Sequence, residues 1–440
     1  MIFINSIRIV KSEVINEINI SEFIPRNFLQ INSIKETILG IIEGVKKKGD
    51  KAILEFTKKY DGVELVESEL KVTPEEISNA YNKIDKNLLK ALEYAKMNLI
   101  KFHRAQIRED WMIKIEKGVK AGQVYRPLER IGIYIPGGRA IYPSTVLMTA
   151  TPAYVAGVKE IILCSPPQIN KKIAPEIIVA ASEFNINNIY KIGGAQAIAA
   201  MALGTNTIPK VQKIIGPGNK WVNAAKQILS NIVAIDTPAG PSEILIIADN
   251  SSDYNLVIVD LLSQIEHDID NIGIIVSTST DLIDNIINNI ESYVDKSERK
   301  DIIKSALKNN SLIIEAKDLE DCVRICNLIA PEHLEIMTKN PKAIVPKIMN
   351  AGAIFIGPNT PVSLGDYSAG TNHVLPTGGN AVNYSGLNSY DFLKIIDVLE
   401  CDLDGLRALS KSSSIIADFE GLPAHKKSIE KRLKKSNNFY

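Results

Sequence analysis

From Ile131 onward the chain alternates short apolar runs with segments of helical length, which is the rhythm of repeated βαβ units. The runs fall at 131–135, 161–164, 189–192, 214–215 and 244–247, then resume at 272–277, 312–315 and 353–356. Strands joined through helices lie parallel, because each crossover carries the chain back to the same end of the sheet. The first series therefore builds one parallel sheet, and the second a further α/β half. Upstream, the first hundred residues read as helices. Ile34, Ile38, Ile41, Ile42 and Val45 keep helical period, Gly49 interrupts, and Asp50 opens another turn bearing Ile53, Leu54 and Phe56. Thr73-Pro74-Glu75-Glu76 is a capping box with proline at the first helical position. After about residue 385 the spacing is lost and a polar helical tail remains.

A chain of 440 residues with 45% hydrophobic content can bury a large core and divides into two or more domains. Lysine plus arginine equals aspartate plus glutamate, 51 each, so no broad field draws nucleic acid or anionic lipid. A small-molecule partner is favoured instead. No run reaches the length a membrane span needs, and the N-terminus lacks a basic region leading into an apolar stretch, so a cytoplasmic protein is expected. Cys164, Cys322, Cys326 and Cys401 form no paired framework and read as buried free thiols.

Glycine-rich turns stand beside the strand runs: "IPGGRAIYPS" after Ile135, "GGAQAIAA" after Ile192, "GPGNKW" after Ile215 and "PAGPSE" before Ile244. Such turns let backbone N–H groups approach an anion. None is a dinucleotide fingerprint, since Gly216-Pro-Gly218 lacks the third glycine. Taken singly, each serves helix-on-strand packing as well as it serves a ligand. Four in one half, all expected at the same sheet edge, point to a crevice there.

Gln264-Ile-Glu-His267 places an amide oxygen and an imidazole three residues apart, on one face if the segment is helical. That is metal-ligand spacing, although a polar helix cap would look the same. Glu266, about 100° around the helix, is expected to point elsewhere as a solvated or salt-bridged carboxylate. A second pair, Glu332-His333 in "APEHLE", an isolated Asp366, and His425 near the C-terminus add candidates in a chain with only five histidines.

The segments "ERIGIYIPGGRAIYPSTVLMTATPAYVAGV", "GGAQAIAAMALGTNTIPKVQKIIGPGN", "DTPAGPSEILIIAD", "DLLSQIEHD", "IAPEHLE", "GAIFIG", "SAGTNHVLPT" and "EGLPAH" together resemble histidinol dehydrogenase, in family order from about residue 30 to the C-terminus. The resemblance implies an α/β fold with two Rossmann-like parallel-sheet halves, a helical N-terminal segment and a C-terminal helical tail. It implies oxidation of L-histidinol to L-histidine through histidinal, with two NAD and one water, at one zinc site per subunit. The implied zinc ligands are Gln264, His267, Asp366 and His425, a nitrogen and oxygen set that suits zinc. Glu332 and His333 match the acid/base pair. His333, near neutral pKa, would take the hydroxyl proton, and Glu332 would activate water. Ser242 and Glu420 match substrate contacts, alongside His333 and the four ligands. Tyr134, Gln196 and Asn219 match NAD contacts. The resemblance also implies a homodimer whose tail completes the partner subunit's site.

The implied division is an N-terminal segment 1–29, a first α/β domain of 30–134 plus 242–385, a second of 135–241 on the NAD side, and a tail of 386–440. Departures from the family pattern at Gly370-Thr-Asn-His373, at Ile269 after "EHD", and in the residues after Ala424 neighbour functional positions without replacing any. His103 and His373 are read as surface or structural rather than ligating. A zinc-site dehydrogenase for another polar alcohol, such as a sulfonated diol, would keep Glu332 and His333, but Glu420 and His425 argue against it. A metal-dependent hydrolase would also use a zinc site with a Glu-activated water.

Overall fold

The computed structural model describes residues 2–4, 7–24, 26, 33–137, 141–237 and 240–437. Gly138, Arg139 and Ala140 of the first glycine-rich turn, Pro238 and Ala239 of the last, and part of the 1–29 segment lie outside them. Every run expected as a strand is one. In spatial order, Asn188–Lys191, Glu160–Ser165, Arg130–Tyr134, Lys213–Ile215 and Ala234–Ile235 form a five-stranded, all-parallel sheet. Ile2–Ile4, Ile7–Lys11, Ser311–Glu315, Ile272–Ser277, Glu243–Ala248, His333–Met337 and Ala353–Ile356 form a seven-stranded sheet, parallel except for its first hairpin.

The continuous apolar runs have a direct cause. Helices cover both faces of each sheet, so strands such as Glu243–Ala248 are buried at every position and cannot alternate with polar residues. Lys35–Lys48, Gly194–Leu203 and Lys220–Leu229 cover one face of the five-stranded sheet, and Lys86–Arg104, Pro143–Ala156 and Pro175–Ser182 the other. Tyr254–Ile265, Thr280–Val294 and Lys300–Asn310 line one face of the larger sheet, with Leu319–Ile329 opposite. Each fully buried isoleucine or leucine here contributes about 1.5–3 kcal/mol. The capping box forms as read: Thr73 Oγ1 accepts the Glu76 N–H at 3.2 Å, and Glu76 Oε2 accepts the Thr73 N–H at 2.9 Å.

Several expectations need correction. The helices between residues 35 and 104, assigned to a domain with 242–385, pack on the five-stranded sheet, because their buried stripes (Ile38, Leu92, Leu99) meet its layers. Arg130–Tyr134, given to that same domain, is the central strand of the five-stranded sheet. The chain does not enter on helices but on a hairpin, whose Ile7–Lys11 strand joins the larger sheet beside Ser311–Glu315. Nor is the tail wholly helical. Leu393–Cys401 is a strand that pairs antiparallel with Val119–Pro127, which pairs in turn with Trp111–Glu116, and this third sheet was not foreseen. Cys164, Cys322 and Cys326 are free and buried, whereas Cys401 is free but exposed. No helix among the described residues is long and apolar enough to cross a membrane.

Candidate functional site

Glu332 and His333 stand at the amino end of the strand His333–Met337, in register with Ile244 of the neighbouring central strand. The turn that delivers them is tight. Ala330 ends the preceding helix with φ of 51°, a left-handed conformation that costs a non-glycine residue energy. A Cβ on Gly352 would meet the Glu332 carbonyl oxygen at 2.5 Å, so only glycine fits that approach.

Both side chains are buried and both are held by the backbone of Glu243. Glu332 Oε2 accepts the Glu243 N–H at 2.8 Å, and His333 Nδ1 donates to the Glu243 carbonyl at 3.0 Å. With Nδ1 committed as a donor, Nε2 carries the lone pair whenever the ring is neutral. Among the described residues that atom is buried without a hydrogen-bond partner, and it lies 3.7 Å from Asp366 Oδ1. Burial pushes Glu332 up to about 8, outweighing the nearby imidazole. Burial works against a charged His333, but the carboxylates of Glu332 and Asp366 outweigh it and push the imidazole up to about 9, not to the neutral range expected. Burial also opposes the Asp366 charge, yet His333, His373 and His267 hold that carboxyl below its ordinary range.

Behind this pair lies a support that the sequence reading missed. Arg26 grips the Glu243 carboxylate bidentately, Nε to Oε1 at 2.9 Å and Nη2 to Oε2 at 2.8 Å, and Nη2 also reaches the Ile329 carbonyl at 2.7 Å. Glu335, two residues past His333 and thus on the same sheet face, accepts the Val362 N–H at 2.8 Å at the start of the helix Val362–Tyr367, which carries Asp366. The Asp260 carboxyl, one turn before Gln264, acts on that of Glu335, whose Oε2 is buried with no hydrogen-bond partner among the described residues. Burial, reinforced by the neighbouring carboxyl, pushes Glu335 up to about 8, and burial pushes Asp260 up to about 6. Strand periodicity alone would have flagged Glu335, since "EHLE" puts a second carboxylate two residues from the histidine.

The helix Tyr254–Ile265 ends before His267, which corrects the single-face argument: Gln264 is buried on the helix, while His267 sits exposed in the following turn. Among the described residues, the Gln264 side-chain amide makes no hydrogen bond, which leaves its oxygen available to a ligand. Ser242 lies at the amino end of Glu243–Ala248, its N–H donating to Asn271 at 3.3 Å. Glu420 and His425 are exposed, and no hydrogen bond or ion pair ties either side chain to this site among the described residues. Nor do three His, Cys, Asp or Glu side chains converge as a metal site among those residues.

Tyr134, Gln196 and Asn219 gather instead at the carboxyl edge of the five-stranded sheet, so only three of the four glycine turns share an edge; the fourth leads to the amino edge of the other sheet. The Tyr134 hydroxyl accepts the Gly194 N–H at 3.1 Å. Asn219 caps the helix Lys220–Leu229, its Oδ1 accepting from Trp221 and Val222. Gly216, at φ of 119°, is obligatory, because a Cβ would meet the Tyr134 carbonyl oxygen at 2.1 Å. The two remaining histidines lie in different surroundings. His103 is buried between Gln106 and Asn372, and His373 Nδ1 lies 3.0 Å from the Asp366 carbonyl.

The family model for histidinol dehydrogenase matches residues 24–433. A histidinol dehydrogenase of Methanococcus maripaludis is 46% identical over 421 residues, covering 95% of this chain and 98% of that protein. One from Clostridium acetobutylicum is 46% identical over 401 residues, covering 91% and 93%. The crystal structure of histidinol dehydrogenase from Elizabethkingia anophelis superposes with a TM-score of 0.95 at 39% identity, covering 99% of this chain and 100% of that one.

Proposed function

Because the chain belongs to the histidinol dehydrogenase family, we propose that it oxidises L-histidinol to L-histidine by way of L-histidinal in the cytoplasm, using two NAD and one water per turnover. The observation that carries this reading is the buried Glu332–His333 pair, with the unpartnered His333 Nε2 facing Asp366.

Each residue's chemistry follows from its surroundings. The Glu243 carbonyl fixes the His333 tautomer, so Nε2 can take the proton from the substrate hydroxyl as the carbinol carbon loses hydride. Glu332, with Oε2 anchored on the Glu243 N–H, would take a proton from water as it adds to the aldehyde. The hydrate then loses a second hydride, with His333 again accepting the hydroxyl proton. In sum, alcohol, water and two NAD give carboxylate, two NADH and three protons. Ser242 and Glu420 would hold the substrate's polar groups.

The donor chemistry fits zinc: an amide oxygen of a buried glutamine with no hydrogen bond among the described residues, an imidazole, and a carboxylate that His333, His373 and His267 hold below its ordinary range. Gln264, His267, Asp366 and His425 would hold the ion, which when bound would template the substrate's imidazole and amine beside the acid/base pair. Tyr134, Gln196 and Asn219 would contact NAD, the hydride acceptor.

The exposed position of His425 supports a shared site in a homodimer. The helix Leu403–Phe419 leaves Phe419 93% exposed, and Ile113 and Leu399, both exposed, flank Ala121 in one row across the antiparallel sheet. Apolar surface of this kind calls for a covering partner, and a second copy supplies one. The test is to add histidinol and NAD to purified, zinc-loaded protein. Two equivalents of NADH and one of histidine are expected per histidinol; release of a hydrolysis product without NADH would favour the hydrolase.

A further inference from the structure

One charged group at the carboxyl edge of the five-stranded sheet has no role in the scheme above. Asp61 ends the short helical segment Thr57–Asp61, far in sequence from the glycine turns. Its Oδ2 lies 3.3 Å from Gln196 Nε2, and its Oδ1 lies so near Gly193 that a Cβ there would sit 3.0 Å away. It also acts electrostatically on the Tyr134 hydroxyl. Among the described residues no lysine, arginine or histidine forms an ion pair with it, although Lys58, three residues away, pairs with Glu64. Asp61 is half-buried, and burial with no cation to offset it raises its carboxyl to about 6, so it is ionised at neutral pH.

A lone carboxylate at this edge accepts hydrogen bonds from a diol and repels a phosphate. We propose that Asp61 selects a nicotinamide dinucleotide with a free ribose 2′-hydroxyl over one carrying a 2′-phosphate. The assignment presupposes the dinucleotide use proposed above. Gln196 fits the same purpose: with Nε2 turned to Asp61, its amide oxygen remains to accept from the neighbouring ribose hydroxyl. The 2′-phosphate would place two further negative charges beside a carboxylate in a partly desolvated crevice, a like-charge arrangement that costs affinity.

The test measures binding as well as turnover. Trp221 stands two residues after Asn219, its backbone N–H bonded to the Asn219 Oδ1, so its fluorescence can report NAD and NADP titrations without substrate. Asp61→Asn keeps the shape and the contact with Gln196 but removes the charge. It should shrink the NAD-over-NADP affinity ratio by at least about 10-fold, with weaker NAD and tighter NADP binding. Glu64→Gln removes a nearby exposed charge and should leave the ratio unchanged. An unchanged ratio in a folded Asp61→Asn protein, or an equal shift in Glu64→Gln, would overturn the assignment. A fall in melting temperature without a change in ratio would make Asp61 a structural partner of Gln196 only. If the parent protein bound neither dinucleotide and reduced neither with histidinol, the dinucleotide reading itself would fail; NAD turnover with an unmoved ratio would sink the Asp61 assignment alone.

Discussion

At His333 the proton inventory is set by what each nitrogen faces, and this makes the pair separable by mutation. Glu332→Gln should slow oxidation of supplied histidinal on the order of 100-fold or more, since the amide cannot take a proton from water. His333→Asn should impair the alcohol step as well. General-base work needs the unprotonated imidazole, and because its pKa is pushed up to about 9, kcat/KM of the parent protein should rise with pH toward that value. The asparagine variant should lose that rise; stopped assays across pH 6.5–9.5 would decide. Another buried imidazole governs stability. His103 Nε2 accepts from Asn372 Nδ2 at 3.2 Å, so its Nδ1 donates to Gln106 Oε1 at 2.9 Å, and burial lowers its pKa. A lowered imidazole pKa means that the unfolded chain binds the extra proton. Stability should therefore be full above about pH 6.5 and decline below it, more steeply in the parent than in His103→Asn when melting is followed from pH 8 to 5. The proposed roles of Glu332 and His333 were legible in the sequence because family motifs carry them, whereas that of Asp61 was not. Nothing in "TKKYDGV" announces that a chain reversal brings this carboxylate to a crevice built more than 70 residues later.

Three elements that carry proposed site residues meet at one pair of carboxyl groups. Glu335 on the strand accepts the first N–H of the Asp366 helix and interacts with Asp260 on the Gln264 helix, and a proton shared between the two carboxyls would relieve their repulsion. Glu335→Gln retains an acceptor for Val362 and a donor for Asp260, so it should fold and turn over nearly as the parent does. Glu335→Leu leaves a buried backbone N–H unpaired and a half-buried carboxyl without its neighbour, and should cost about 1–3 kcal/mol and much of the activity. The pH dependence runs opposite to that of His103. Because the folded carboxyl is raised from 4.5 to about 8, its stabilisation is present below 4.5 and is lost as pH rises toward 8. The stability of Glu335→Gln relative to the parent should thus improve between pH 5 and pH 8 in denaturant titrations; an unchanged difference would refute the shared proton. The parallel strands were legible because two-sided burial writes them as unbroken apolar runs. The antiparallel sheet was not, since "WMIKIE" is exposed throughout in the single chain and no buried face imposes a readable pattern on it.

Taken whole, one chain holds Glu332, His333 and Asp366 together while the tail presents Glu420 and His425 outward. If the tail serves a second copy, His425→Ala and Glu332→Gln proteins should each be nearly inactive. Co-expressed, about half of the dimers are mixed and each mixed dimer has one intact site, so activity should recover to ~25% of the parent's. No recovery, with mixed dimers seen by mass spectrometry, would mean that the tail serves its own chain. The tail's change of pattern was visible in the sequence, but its strand partner, Val119–Pro127, lies too far away for local spacing to reveal. Long separation marks the larger sheet as well, where Ile7–Lys11 lies parallel to Ser311–Glu315. During synthesis the strand Ile7–Lys11 leaves the ribosome early, yet its neighbour is made only about 300 residues later. The five-stranded half can close meanwhile, so a strand emerging early waits long for its place, exposed to chaperones and proteases, and nascent chains stalled before residue 311 should be cut near their amino terminus while the middle resists.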